Sequence, residues 1–204
     1  MTTRMPWPEL LETDRLVLRR PTAADAPTIL EEYAQDPDVT RYLTWRPHSR
    51  MEETEAYLTR CQAGWDAGTE LTWALTLAGE DRLIGMIGMR PRTHMADIGY
   101  VLARRYWGRG LMPEAAMAVV ELALGRPDIR RVWAVCDVEN RASARVLEKV
   151  GMEYEGVLRR WIIHPNVSAE PRDVHCYARL RDNASATSPS TSGSRPHSSA
   201  GPDR

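Results

Sequence analysis

At 204 residues and 43% hydrophobic, the chain is long enough for one full-sized core, and a formal net charge of -1 provides no bulk attraction for nucleic acid or an anionic membrane. Three cysteines, Cys61, Cys136 and Cys176, lie far apart without Cys-x-x-Cys spacing, which argues against a disulfide or zinc framework and for free thiols in a reducing compartment. With no signal-peptide core and no apolar run of about 18 residues, a cytoplasmic chain is expected.

Residues 1–9 read as a polar, proline-punctuated lead-in to one domain over 10–181. A first strand is expected over 16–19, closed by Pro21, after which Thr22 caps a helix whose Ala26, Ile29, Leu30 and Tyr33 share a face. Asp36-Pro37-Asp38 ends that helix, 39–43 form a short turn, and Trp45-Arg46-Pro47 a loop. Ser49 is the expected cap of a second long helix over 51–67, with Thr54, Tyr57, Leu58, Cys61 and Trp65 at helical spacing. Residues 70–77 and 82–89 alternate as a hairpin about the turn 78–81, and 95–102 form a central fourth strand.

That strand runs into the polar, glycine-punctuated segment 103–110 and then an amphipathic helix over 112–124, stopped by Gly125 and Pro127. Strand, glycine turn and helix start together make an anion cradle. Gly108 and Gly110 let the backbone approach an anion, and the first helical N–H groups point at it. Arg104, Arg105 and Arg109 either add fixed positive charge to the cradle or form the solvated face of a turn. No Gly-Lys-Ser/Thr follows, as a P-loop requires, and Pro113 replaces the third glycine of a dinucleotide fingerprint, so another phosphate ligand is implied.

Further on, 131–136 read as a buried strand, 143–150 as a helix ended by Gly151, and 154–163 and 174–180 as closing strands. This order argues for one α/β sheet with helices on both faces. From Asp182 the chain is Ser, Pro, Gly and Ala with hardly an apolar anchor, so 182–204 are expected to be a disordered tail.

Arg105, Gly108 and Gly110 fit Arg/Gln-x-x-Gly-x-Gly/Ala, the pyrophosphate signature of the GNAT superfamily of CoA-dependent N-acetyltransferases. The run from Asn140 and Ser143 through Gly151 to Glu155-Gly156 resembles that family's second block, in the right order after a strand. The resemblance covers roughly 10–180 and is nearest to the RimJ/RimL-type branch, named for acetylation of ribosomal-protein N termini. It implies a mixed, mostly antiparallel sheet of about seven strands, with strands 4 and 5 splayed and the pantetheine arm of acetyl-CoA in the gap, along the main chain near Tyr100, Val101 and Leu102. The pyrophosphate is then expected on N–H groups from Arg105 through Gly108, Arg109 and Gly110 to Leu111 and Met112, with Arg104 alongside and Trp107 packed under the turn. Acetyl-CoA and an amine acceptor are the implied partners, without a metal ion, in a monomer or homodimer.

The implied reaction is direct attack by a primary amine on the acetyl thioester, since no Ser-His-Asp or Cys-His pattern is evident. Asp97 matches the position of a catalytic glutamate in several members; the alternative is a strand residue on the opposite, solvated face. Ser143 resembles the serine that some members use to reprotonate the CoA thiolate, where many others use a tyrosine. Asn140 and Ser143 also sit where the family contacts the pantetheine arm, although Asn140 is equally a good helix N-cap. His94, His164, Glu70 and Tyr42 are weaker acceptor-side candidates, the histidines read first as loop residues. A glutamate that the branch carries after its second block is replaced by Ile162, which keeps open a non-catalytic acyl-CoA-binding or regulatory module.

Overall fold

A computed structural model describes residues 6–181 and shows eight strands in one sheet, ordered β1-β2-β3-β4-β5-β6-β8-β7. The strands are β1 (Leu10–Glu12), β2 (Leu16–Arg19), β3 (Leu71–Leu77), β4 (Leu83–Pro91), β5 (Met95–Leu102), β6 (Arg131–Asp137), β7 (Glu153–Ile162) and β8 (Arg172–Leu180). Every neighbouring pair is antiparallel except β5 and β6. The three-residue β1 is the addition to the expected seven strands. The expected tail falls on residues outside those described.

Strands β3 and β4 are apolar on both faces because helices cover both; Leu71, Trp73, Leu75, Ile84, Met86 and Ile87 are almost wholly buried. One cover is α1 (Ala26–Ile29), α2 (Pro37–Thr40) and α3 (Met51–Ala67), and the other is α4 (Leu111–Leu124) with α5 (Arg141–Lys149). The small residues Ala115, Ala116 and Ala123 of α4 are fully buried, so its backbone lies close on the sheet.

Several boundaries differ from expectation. Residues 23–34 form a 3-10 turn, one α turn and a π segment over Leu30–Ala34 rather than a single helix. Ser49 does not cap α3. Arg50 holds the N-cap position, and the Glu53 carboxylate accepts the backbone N–H groups of Ser49 at 2.7 Å and Arg50 at 3.1 Å, so no hydroxyl is needed. Helix α5 starts two residues earlier than expected, because Asn140 accepts the Ser143 N–H at 3.1 Å as its N-cap. The lead-in is anchored where described: the Trp73 indole donates to the Pro8 carbonyl at 3.2 Å, and Trp7 packs on the core under the Arg126 guanidinium.

The register positions the site. Strand β5 pairs with β4 along its whole length but with β6 only at Met95, Ala96 and Asp97. From Ile98 onward the two strands diverge, while β6 keeps its pairing with β8 through Asp137. These are the fourth and fifth strands of the sequence reading, renumbered by β1. Glycine is required at Gly85, where a Cβ would stand 2.5 Å from the Val101 carbonyl oxygen, so β4 and the end of β5 can press together there.

Candidate active site

A cavity of about 1070 Å³ follows the divergence of β5 and β6. Along it the β6-facing backbone groups of β5 beyond Asp97 have no strand partner, so an extended chain can bond there as a further strand. At one end lies the turn into α4, and at the other the ends of β3 and β4.

At the turn, Gly108 (φ 72°) and Gly110 (φ 76°) take left-handed conformations that a side chain would strain. No backbone N–H of Gly108, Arg109 or Gly110 donates to another described backbone group, and α4 adds the free N–H groups of its first turn. Glu114 fixes this turn from outside: it accepts Thr13 Oγ1 at 2.6 Å and pairs with Arg15, whose Nη1 donates to the Arg109 carbonyl at 3.0 Å. Burial alone would raise the Glu114 carboxyl pKa, but the Thr13 and Arg15 donors hold it below the usual carboxylate value.

The three candidate arginines are not equivalent. Arg104 lines the cavity and pairs with Asp38 at 2.6 Å. Arg105 and Arg109 do not line it; both lie over the Tyr106 ring, and Arg105 pairs with Glu32 at 2.5 Å. The buried aromatic under the turn is Tyr106, whereas Trp107 is 45% exposed and donates its indole N–H to the Leu102 carbonyl at 2.7 Å. Sequence reading missed a second basic group. Arg141, Arg145 and Lys149 recur every four residues on α5, all line the cavity, and no ion pair engages them among the described residues. Their spacing was the available signal.

Within the cleft, Tyr100 and Ser143 meet: the phenol oxygen lies 2.8 Å from Ser143 Oγ and donates to the Ser143 carbonyl at 3.2 Å. Burial raises the Tyr100 pKa, more than the Ser143 hydrogen bond lowers it, so the phenol keeps its proton. Cys136 also lines the cleft, and burial pushes its thiol up to about 11. All three cysteines are buried free thiols. Val101, Leu102, Leu111, Met112 and Asn140 complete this wall.

Asp97 is 7% exposed and does not line the cavity. Its Oδ2 accepts Arg90 Nε at 2.7 Å and a still closer Nη2, across the β4–β5 register that sets the two residues opposite each other. Its Oδ1 is buried without a hydrogen-bond partner, 3.9 Å from Arg92 Nε. Of the weaker candidates, Glu70, Tyr42 and His164 line the cavity and His94 does not. His164 stands 3.7 Å from the fully buried Asp137, which Arg172 Nε engages at 2.6 Å. Both imidazole nitrogens are sealed from solvent, and burial lowers the His164 pKa, against the pull of Asp137. Ile162 lines the cavity too. Among the described residues no group of three acidic, His or Cys side chains could hold a metal ion, and no helix is long and apolar enough to cross a membrane.

Residues 15–153 match the family model described as the acetyltransferase (GNAT) domain. The chain is 30% identical over 175 residues to an uncharacterized N-acetyltransferase, YoaA, of Bacillus subtilis, covering 84% of this chain and 97% of that protein. A crystal structure of a GNAT-family acetyltransferase from Bacillus anthracis superposes with a TM-score of 0.73 at 29% identity, covering 84% of this chain and 98% of that one. The fold is shared, at 23% identity and a TM-score of 0.75, with RimL, a ribosomal L7/L12 α-N-protein acetyltransferase solved in complex with coenzyme A; 84% of this chain and 98% of that one are covered.

Proposed function

This chain belongs to the GNAT acetyltransferase family, and from that premise we propose that it transfers the acetyl group of acetyl-CoA to a primary amine by direct attack in a ternary complex. The observation that carries the reading is the gap between β5 and β6, which runs from the Tyr100–Ser143 pair to a glycine turn with free N–H groups. Acetyl-CoA, when bound, supplies an activated acyl group and a thiolate leaving group. The residues fit it. The β5 backbone offers strand-type hydrogen bonds, the α4 N-terminus accepts phosphate, and Arg141, Arg145 and Lys149 add positive charge for the remaining phosphate.

In this reading Tyr100, held by Ser143, donates the proton that the departing sulfur requires. Asp97 fixes Arg90 and acts on the acceptor only through that guanidinium, because its Oδ1 is buried and its Oδ2 is held by Arg90. A protein or peptide α-amino group is the preferred acceptor, supported by RimL, an L7/L12 α-N-protein acetyltransferase of the same fold. A non-catalytic acyl-CoA-binding module is the rival, favoured by the apolar Ile162 in the cavity wall. Calorimetry with acetyl-CoA tests the first step. Binding at submillimolar concentration, lost in a folded Gly110→Asp variant, is expected; no binding would remove the reading.

A further inference from the structure

Gly88 on β4 and Gly99 on β5 face each other across the sheet. Side chains alternate along a strand, so Asp97, Gly99 and Val101 share one face, together with their partners Arg90, Gly88 and Met86. Thr72, opposite Gly88 on β3, lies on this face as well. The two glycines leave an open floor there. A Cβ at Gly99 would meet nothing within 4 Å, and the nearest atoms to one at Gly88 are Thr72 Oγ1 at 3.4 Å and, at 3.9 Å, a Glu70 carboxylate oxygen and the Gly99 carbonyl oxygen. Gly99 is two residues past Asp97, the last residue at which β5 and β6 still pair, so this floor opens at the fork of the cleft.

Glu70 is the accessible acid at this floor. Its side chain is 47% exposed, against 10% for Asp97. Among the described residues its one paired cation is Arg90, which gives Nε and Nη2 to Asp97 and reaches Glu70 through Nη1 at 3.3 Å. Arg92 lies by Asp97, its Nε 3.9 Å from Asp97 Oδ1. Two carboxylates therefore share one closely held guanidinium, and the charge left over is on Glu70, facing the glycine floor. An ammonium group matches that charge in sign.

We infer that Glu70, with Thr72 and the Gly88–Gly99 floor, is the subsite that holds the ammonium group of the acceptor. The inference rests on the acetyl-transfer reading for the identity of the acceptor but not for the binding itself. The floor leaves room beside Glu70 for a primary ammonium or a chain-terminal α-amino group, and the Asp97–Arg90 pair holds Glu70 in place.

Two variants test it without disturbing the fold. Glu70→Gln keeps the shape and removes the charge; Gly99→Val fills space that nothing occupies. With a serine-initiated peptide and with spermidine as acceptors, each variant should raise acceptor KM at least tenfold, leave kcat within threefold and leave acetyl-CoA affinity unchanged. Calorimetric titration of the same two amines into CoA-saturated protein should show the same loss in both variants. Acceptor KM and amine affinity within twofold of wild type in both variants would overturn the subsite. If wild type releases no CoA thiol with either amine, turnover does not report on the subsite and the titration alone decides it: weaker binding in the variants supports it, and equal or absent binding overturns it.

Discussion

The Tyr100 phenol of β5 lies 2.8 Å from Ser143 Oγ in the first turn of α5, joining the two elements that bound the cleft. In the proposed mechanism the pair acts as one proton donor, since Ser143 orients a phenol that burial keeps protonated. Tyr100→Phe should lower kcat by about a hundredfold or more, the low end of general acid catalysis. Adding Ser143→Ala to it should cost little further, because groups acting as a unit are not additive. Thiol-release kinetics on the two single variants and the double variant check this; additive losses would separate the roles.

In the proposed acetyl-CoA complex the basic residues should contribute unevenly to phosphate binding. Arg105 is already paired with Glu32, so Arg105→Ala should change acetyl-CoA affinity by less than about threefold, whereas Arg145→Ala removes a cavity-lining charge without an ion partner. A hydrogen bond to a charged group contributes about 1.5–3 kcal/mol, so that loss should be tenfold or more. Calorimetric dissociation constants for the two variants, compared at one ionic strength, decide it.

Arg172 is expected to be a stability residue. Burial pushes the Asp137 carboxyl up, but the hydrogen bonds of Arg172 and the Glu139 N–H, with the Arg172 and His164 charges, hold it below the ordinary value. A depressed folded-state pKa means stability present above the unfolded pKa of about 3.9 and lost as pH falls through the folded value. Arg172→Met leaves a buried carboxylate without its cation and should cost about 3–5 kcal/mol, read by urea unfolding at neutral pH. The loss should shrink as Asp137 is protonated in acid.

His164 has the opposite charge type and the same direction of pH dependence. Its folded-state pKa is lowered by burial, so the unfolded chain binds the extra proton. The stabilisation is full above the unfolded imidazole value of about 6.5 and is lost as pH falls through that value towards the folded one. Wild-type Tm should therefore fall between pH 7 and pH 5 more steeply than that of His164→Gln. Parallel slopes in differential scanning calorimetry would contradict this.

The conformation of the glycine turn was legible because its signals are local: Gly108 and Gly110 adopt the positive φ that their residue type allows, and α4 begins at the turn. Strands β3 to β6 were legible from their apolar runs. The three-residue β1 carries no periodicity, and the cap of α3 depends on Glu53 reaching back rather than on Ser49. What stayed hidden at the site is tertiary. Glu32 meets Arg105 from 73 residues away, and Asp97 lost its access to the cavity only through the register that puts Arg90 opposite it. The open floor at Gly88 and Gly99 follows from that register as well, and two isolated glycines in apolar strands do not announce it.

The most direct measurement is acetyl transfer itself. Purified protein with acetyl-CoA and a panel of serine- and alanine-initiated peptides, amino acids, polyamines and aminoglycosides is followed by CoA thiol release and by mass spectrometry of the acceptor. The account predicts amine-dependent thiol release matched by one added acetyl group, about a hundredfold or more slower in Tyr100→Phe. Tight acetyl-CoA binding with no thiol released above the amine-free rate for any member of the panel would contradict it and leave the non-catalytic acyl-CoA-binding module.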